Sequence, residues 1–375
     1  MSKTANIKCW VSHRLTEKVG RALRNLSAAK DVQTIAVMPD VHLAGDVCNG
    51  VVVATESMLY PQCVGGDIGC GYLSVDLAVA DSGCTSCEST LPLSEIWLGV
   101  RSAIPINKHV DRIGFESDLG LSSARLQSDA EREGRLQLGT LGRGNHFVEL
   151  QRNEHGTLSL LIHSGSRSMG QMISTWHLKN ASVDPRSGLK HICAESELGK
   201  AFLNDLEWAR RYAAVNRLEM LRAVESSVLS VMNMAVDWTS LIHHDHNHVQ
   251  HETHDDRVLW VHRKGAQGLQ RNHAAVIPGS MGATTYLVQG RHHSESLGSC
   301  SHGAGRLMSR KEAAQRVSVK ALRRQMSNVW FNERRAKTLL DEAPSAYKDI
   351  RKVMKAQRDL VRIVGRREPV LNYKG

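Results

Sequence analysis

Four short apolar runs each end in a polar, glycine-bearing loop, and this repetition constrains the fold more than any other feature of the chain. "TIAVM" (34–38) runs into Pro39-Asp40-Val41-His42, and "LSLLI" (158–162) into His163-Ser164-Gly165-Ser166-Arg167. "RVLWV" (257–261) runs into His262-Arg263-Lys264-Gly265, and "AAVI" (274–277) into Pro278-Gly279-Ser280-Met281-Gly282. Apolar runs of this length read as buried strands, as do "NGVVVAT" (49–55) and "TYLV" (285–288). Two longer stretches read as helices: roughly 198–235, with Leu203, Leu206, Ala209 and Ala213 on one face, and 309–340. Strands and helices mix without strict alternation, which favours the α+β class over a doubly wound sheet. No repeat, low-complexity linker or Pro/Gly/Ser-rich hinge divides the chain. The expectation is one compact domain over residues 1–375, with mixed β-sheets flanked by helices. Loops held on a rigid scaffold commonly carry function, and four of them form a pattern.

Composition narrows the function classes. The chain is 41% hydrophobic and 23% charged, ordinary for a soluble globular protein. No apolar run is long enough to predict a membrane span, and the N-terminal "MSKTANIKCWVSHRLTEK" contains no secretory signal, so a cytoplasmic location is expected. Eight cysteines in such a chain read as thiols, ligands or core residues rather than disulfides. Cys84 and Cys87 form a C-x-x-C with no second pair to complete a zinc site, which favours a structural or incidental role. A net charge of +10 points to an anionic partner, nucleic acid first, and basic residues thicken toward the C-terminus. Aromatics at 5% argue against an extended base-stacking platform.

Five motifs carry candidate chemistry. In "GGDIGCG" (65–71), Asp67 and Cys70 lie three apart in a glycine-rich turn, so a carboxylate and a thiolate can converge on one metal; a tight turn around a buried Cys is the plainer reading. "GRGNHFVEL" (142–150) sets Asn145 and His146 at a loop–strand junction, with Glu149 on the opposite side of a regular strand from His146. "IHSGSR" (162–167) puts His163 at a strand end, followed by small donors and an Arg suited to phosphate. "HHDHNHVQHETH" (243–254) has six histidines in twelve positions, with Asn247 among them as a hydrogen-bonding partner. In "SHGAGR" (301–306), little bulk surrounds His302, so a phosphorus centre can approach the imidazole while backbone N–H groups and Arg306 cradle its oxygens. There is no P-loop, and no lysine begins the K-x-D-G sequence of lysine-nucleotidylating ligases.

Taken in order, "MPDVH", "GGDIGCG", "GTLGRGNHFVE", "IHSGSR", "HNHV", "VHRKGA", "IPGSMG", "SHGAGR", "DEAPSAYKDI" and the terminal "YKG" closely resemble the RtcB family of RNA ligases over nearly the whole chain. The resemblance implies a GTP- and manganese-dependent ligase. Such enzymes join RNA ending in a 2′,3′-cyclic phosphate or 3′-phosphate to RNA beginning with a 5′-hydroxyl. It implies Asp67, Cys70, His146, His163 and His246 as ligands of two Mn²⁺ ions, with the Cys shared, and His302 as the residue that becomes guanylylated. It places the GMP pocket at Asn145, His146, Phe147, Val148 and Glu149, at His246 and Asn247, and at Pro278, Gly279, Ser280, Met281 and Thr285. The same pocket takes His302, Gly303, Ala304 and Gly305, with Lys374, and Tyr347 falls near the guanine. The 243–254 segment is richer in histidine than is usual for the family, and Ser168 stands where a Gly is common. A metal-dependent phosphodiesterase or nuclease using the same metals without GTP is the alternative. It would need neither a nucleophilic His302 in a glycine cradle nor Lys374.

Overall fold

The computed structural model describes residues 5–12, 14–79, 91–111, 113–115, 117–229 and 232–375. Cys84 and Cys87 lie outside the described residues. Each apolar run becomes a strand: Val32–His42, Asn49–Thr55, Leu158–Ser164, Arg257–Lys264, Ala274–Pro278 and Thr285–Gly290. They are divided between two large sheets in an α+β arrangement. One has the order Asn6–Cys9, Val32–His42, Asn49–Thr55, Arg257–Lys264, Asn247–His254. The other has seven strands in the order Met234–Asp245, Gly71–Val79, Leu158–Ser164, Phe147–Asn153, Val361–Lys374, Thr285–Gly290, Ala274–Pro278.

Period-two alternation decides what each face meets. In the five-stranded sheet Ala36, Met38, Val52, Ala54, Leu259 and Val261 pack against Ala275, Ile277, Tyr286 and Val288 of the larger sheet. The intervening Ile35, Val37, Val51 and Val53 face the helix Glu17–Ser27 through Val19, Leu23 and Leu26. Both faces of these strands are therefore buried, which is why they read as continuous apolar runs. Each buried aliphatic side chain contributes about 1.5–3 kcal/mol.

The seven-stranded sheet curls. Its first strand approaches its last, with His244 Nε2 donating to Ala274 O at 2.8 Å. Arg367 reaches over two intervening strands to Ser74 Oγ at 2.6 Å and Asp76 Oδ1 at 2.7 Å. Leu73, Val75, Val148, Leu150, Leu160 and Ile162 point outward onto the helices Leu93–Ala103 and Glu197–Val224. The alternate positions point into the curl, where Tyr72, Leu161 and Val276 meet and Gln151 donates to Thr285 Oγ1 at 2.8 Å.

Both expected helices end earlier than their periodicity suggests. The first spans Glu197–Val224 and closes through a π turn at Glu225–Leu229; Asn233, at φ 54°, turns the chain, and Met234 already begins a strand. The stretch 309–340 is three pieces, the helices Arg310–Arg316 and Val319–Gln325 and the 3₁₀ segment Glu333–Glu342. Ser309, Ser318 and Asn332 each accept a backbone N–H at the start of the piece that follows. Small polar side chains that satisfy free N–H groups begin a new turn rather than continue an old one. Among the described residues no helix is long and apolar enough to cross a membrane.

Candidate active site

The polar loops converge where the mouth of the curled sheet meets the five-stranded sheet. The Gly65–Cys70 loop, held by the long helix, supplies the thiol. Arg217, 2% exposed, donates through Nη1 to Gly69 O at 2.8 Å and to Ser164 O at 2.9 Å. One residue earlier on the helix, Asn216 accepts from Thr140 N at 3.1 Å and donates to Ser164 Oγ at 3.0 Å. Gly165 has no room for a side chain: a Cβ there would sit 2.3 Å from Asp67 Oδ1.

Around that thiol the imidazoles are already oriented. Cys70 Sγ lies 3.4 Å from His146 Nε2 and 3.3 Å from His163 Nε2, and Asp67 Oδ2 lies 3.0 Å from His146 Nε2. His163 Nδ1 donates to Asn145 O at 3.0 Å, and His146 Nδ1 lies 3.0 Å from Leu141 O and 3.2 Å from Arg167 Nη1. The His163 ring is thereby held in the tautomer whose Nε2 lone pair faces the sulfur, while His146 Nε2 faces the Asp67 carboxylate as well as the sulfur. The His246 ring continues the cluster, with its centroid 5.3 Å from that of His163 and 4.7 Å from that of His302. His246 breaks the alternation of its stretch because it sits between two strands, its N–H donating to Cys70 O at 2.8 Å. That contact and its counterpart, Ala266 N–H donating to His246 O at 3.2 Å, hold the residue between Met234–Asp245 and Asn247–His254.

The donor set fits a metal ion. Cys70, His146 and His163 present one ligand atom each within a single coordination-sized volume, and His246 Nδ1 is buried with no hydrogen-bond partner among the described residues. A bound cation is one remedy for an orphaned buried nitrogen next to a ring of such a cluster. Burial pushes the pKa values of His163 and His246 well below the usual range, so both rings are neutral, the form that binds a metal. Burial, with the Asp67 carboxylate beside it, pushes the Cys70 thiol well up; a cation would reverse that preference. Desolvation works against the Asp67 carboxylate, but the hydrogen bond and charge of His146 and the charge of Arg167 outweigh it and lower its pKa.

His302 stands on the far side of this cluster, after the strand Ser299–Ser301. Its Nδ1 donates to Asp40 Oδ2 at 2.6 Å, and its backbone N–H reaches the same oxygen at 3.2 Å. Asp40 is fully buried, so the pair is fixed with the Nε2 lone pair free. Gly305, at φ 72°, cannot carry a side chain, because a Cβ would lie 2.0 Å from Asp40 O. Sequence reasoning does not single out Asp40 as the partner of His302. Its signal is the polar loop at the end of "TIAVM", but nothing in that loop names a partner 262 residues away. Lys348 Nζ holds the same end of the strand Val32–His42 by donating to Pro39 O at 3.0 Å and Val41 O at 2.6 Å.

A cavity of about 550 Å³ opens over these groups. Of the residues expected at the nucleotide, Asn145, Phe147, Pro278, Gly279, Ser280, Met281, His302, Gly303, Ala304, Gly305, Tyr347 and Lys374 line it. Val148, Glu149, Asn247 and Thr285 do not form its wall, and strand alternation explains much of this. Val148 points outward into the helix-covered core. Glu149 shares the inner face with Phe147 but lies deeper, accepting from Gln151 Nε2 and Asn372 Nδ2 at 2.7 Å each, with burial raising its pKa to about 7. Thr285 is joined to Glu149 through Gln151. Asn247 holds loops instead, donating to Asp67 O at 2.9 Å and accepting from Gly265 N at 2.8 Å. His146 and His246 belong to the ring cluster beneath the cavity.

Five of the six histidines in 243–254 have other surroundings. His243 accepts from Arg217 Nε at 2.8 Å, His244 donates to Ala274 O, and His248 lies beside Asp245. His251 stacks on Trp260 at 4.3 Å, and His254 pairs with Glu252 at 2.8 Å. All five line a second cavity of about 710 Å³ that shares no wall residue with the first.

Fold and site together define an enzyme with a Cys/His centre fit for a metal ion beside an Asp-oriented histidine. The chain belongs to the tRNA-splicing ligase RtcB family, whose profile matches residues 97–375, and it is an RNA ligase by that membership. It is 33% identical to the RNA-splicing ligase RtcB1 of Escherichia coli (strain ATCC 25922), over 91% of this chain and 90% of that protein. It is 32% identical to the RNA-splicing ligase RtcB of Escherichia coli K12, over the same shares of each. The tRNA-splicing ligase RtcB of Pyrococcus horikoshii is 28% identical over 70% of this chain and 37% of that longer protein.

Proposed function

We propose that the chain joins RNA bearing a 2′,3′-cyclic phosphate or 3′-phosphate to RNA bearing a 5′-hydroxyl, using GTP and Mn²⁺ in RNA repair or tRNA splicing. The observation that carries this reading is the Asp40-oriented His302, which lines one cavity together with His163 of the convergent thiol and imidazoles. His302 Nε2 attacks the α-phosphorus of GTP and pyrophosphate leaves, so GMP is joined to the ring through a P–N bond. Asp40 holds Nδ1–H throughout and stabilises the positive charge that develops on the imidazole. A cyclic end is first opened by addition of water to give a 3′-phosphate with a free 2′-hydroxyl. The 3′-phosphate then takes the GMP, which frees His302 and leaves an RNA-(3′)pp(5′)G end. The 5′-hydroxyl attacks that end in line, the phosphodiester forms, and GMP departs.

Two Mn²⁺ ions would be held by Asp67, Cys70, His146, His163 and His246, and would supply neutralisation of charge on the phosphoryl oxygens. Asn145, Phe147, the Pro278–Met281 turn, the His302–Gly305 loop, Tyr347 and Lys374 enclose the nucleotide. A hydrolase working on the same metals would need neither a guanylylated His302 in a glycine cradle nor Lys374 at the nucleotide.

Ligation with defined ends tests the reading. Oligonucleotides ending in 3′-phosphate or cyclic phosphate should be joined to 5′-hydroxyl ends only when GTP and Mn²⁺ are present. Joining of 3′-hydroxyl to 5′-phosphate ends, or cleavage without joining, would refute it.

A further inference from the structure

We propose that Glu342 is the positioning residue of the nucleotide end of the cavity: one buried carboxylate that aims four wall side chains. The inference rests on the reading of that cavity as a GTP site. Glu342 closes the segment Glu333–Glu342, is 3% exposed, and is not itself a wall residue of the cavity. Its Oε1 accepts from Arg306 Nη1 at 2.9 Å and from Arg310 Nη1. Its Oε2 accepts from Tyr347 Oη at 2.7 Å and pairs with Lys374 Nζ at 2.7 Å. Both oxygens are thus saturated, and all four donors come from the cavity wall.

The four donors arrive from separate parts of the chain: the loop after His302, the start of the helix Arg310–Arg316, the turn before Ile350, and the C-terminal strand. The arrangement also sets how they lie against each other. The Arg306 guanidinium sits 5.0 Å over the Tyr347 ring, and Lys374 Nζ lies 5.4 Å from the centre of the Phe147 ring. Arg310 has a second carboxylate partner in Asp341 at 2.8 Å. Among the described residues, Arg306 and Lys374 have their ion pair with Glu342 alone.

Removing the negative charge would leave Arg306 and Lys374 without a carboxylate partner. Arg310 keeps Asp341 and Arg306 keeps the carbonyls of Met308 and Asp341, so Lys374 and the Tyr347 hydroxyl are the groups set free to turn toward solvent or the triphosphate. The donors that face the base would then lose their aim. Glutamine cannot substitute, because its amide has one acceptor oxygen and turns an N–H₂ group toward two of the four donors. The metal cluster is built from other segments and does not touch Glu342. Loss of this carboxylate should therefore affect nucleotide capture and base choice, and spare metal binding.

The test compares wild type, Glu342→Gln and Glu342→Asp, all as full-length chains. Binding of radiolabelled GTP with Mn²⁺, Mn²⁺ binding alone, and the rate of GMP transfer to protein over a range of GTP and of ATP are measured. Glu342→Gln should raise the KM for GTP roughly tenfold or more, the loss expected for charge-assisted hydrogen bonds. Its preference for GTP over ATP should fall by a similar factor, with kcat and Mn²⁺ affinity close to wild type. Glu342→Asp, which keeps the charge on a shorter arm, should fall between the two. If Glu342→Gln does not fold, the shift in KM and selectivity of Glu342→Asp carries the test. A folded Glu342→Gln with wild-type KM and selectivity, or one that loses Mn²⁺ binding to the same degree, overturns the proposal. Wild type that binds Mn²⁺ and fails to take GTP overturns instead the reading on which it rests.

Discussion

A histidine becomes a useful nucleophile only if the unprotonated nitrogen faces the phosphorus, and at His302 that choice is made by Asp40. The 2.6 Å contact to Nδ1 fixes the tautomer and, in the proposed transfer, would supply the counter-charge for the ring as it becomes cationic. Asp40→Asn keeps the shape and removes the charge. Its rate of GMP transfer to the protein should fall by about 10²- to 10⁴-fold, the usual range for a lost acid–base partner, while GTP binding persists. Quenched-flow measurement with α-labelled GTP decides it, and an unchanged rate would remove Asp40 from the mechanism. At this scale the sequence is legible where residue type and local setting speak together. Cys70 between glycines and His302 before Gly303-Ala304-Gly305 can be singled out, and the structure brings both to one cluster. Asp40 cannot be, because its role exists only through a partner far away in the chain. Val148, placed in the same motif as Phe147, shows the opposite limit: one step along a strand turns a side chain to the other face.

At the level of elements, the site hangs on the helix Glu197–Val224, which presents Asn216 and Arg217 to the loop bearing Cys70 and to the strand end bearing His163. Apolar periodicity reveals that helix and its buried face, but not the two polar residues within the face that do the positioning. Arg217→Met would fill the space and leave Gly69 O, Ser164 O and His243 Nε2 without their donor. Unsatisfied buried acceptors cost about 1–3 kcal/mol each, so thermal unfolding should occur several degrees lower. Mn²⁺ titration should show weaker binding, since the loops lose their anchor. Wild-type melting and wild-type affinity together would show that the loops hold themselves. The strands are legible from their apolar runs because both faces of the five-stranded sheet are buried. The stretch 309–340 reads as one helix because its composition is helical throughout. Only the capping geometry of Ser318 and Asn332 shows where it breaks.

Across the whole molecule, two sheets and the loops between them bring together residues that are distant in sequence: Cys70 with His146 and His163, 76 and 93 positions apart, and Asp40 with His302. No local pattern encodes such distances, and the site is legible from sequence only through the ordered set of motifs. The histidine-rich segment illustrates the division of labour, since one of its six rings joins the Cys/His cluster while the rest line a separate cavity. A net charge of +10 suits an RNA substrate held largely through phosphates. The proposed chemistry depends above all on His302 becoming covalently joined to GMP. Incubating the protein with α-labelled GTP and Mn²⁺, then digesting it and locating the label by mass spectrometry, tests this most directly. The expected result is an acid-labile GMP adduct on His302 that is absent from His302→Ala. Undiminished labelling of His302→Ala, or an adduct on a lysine, would contradict it.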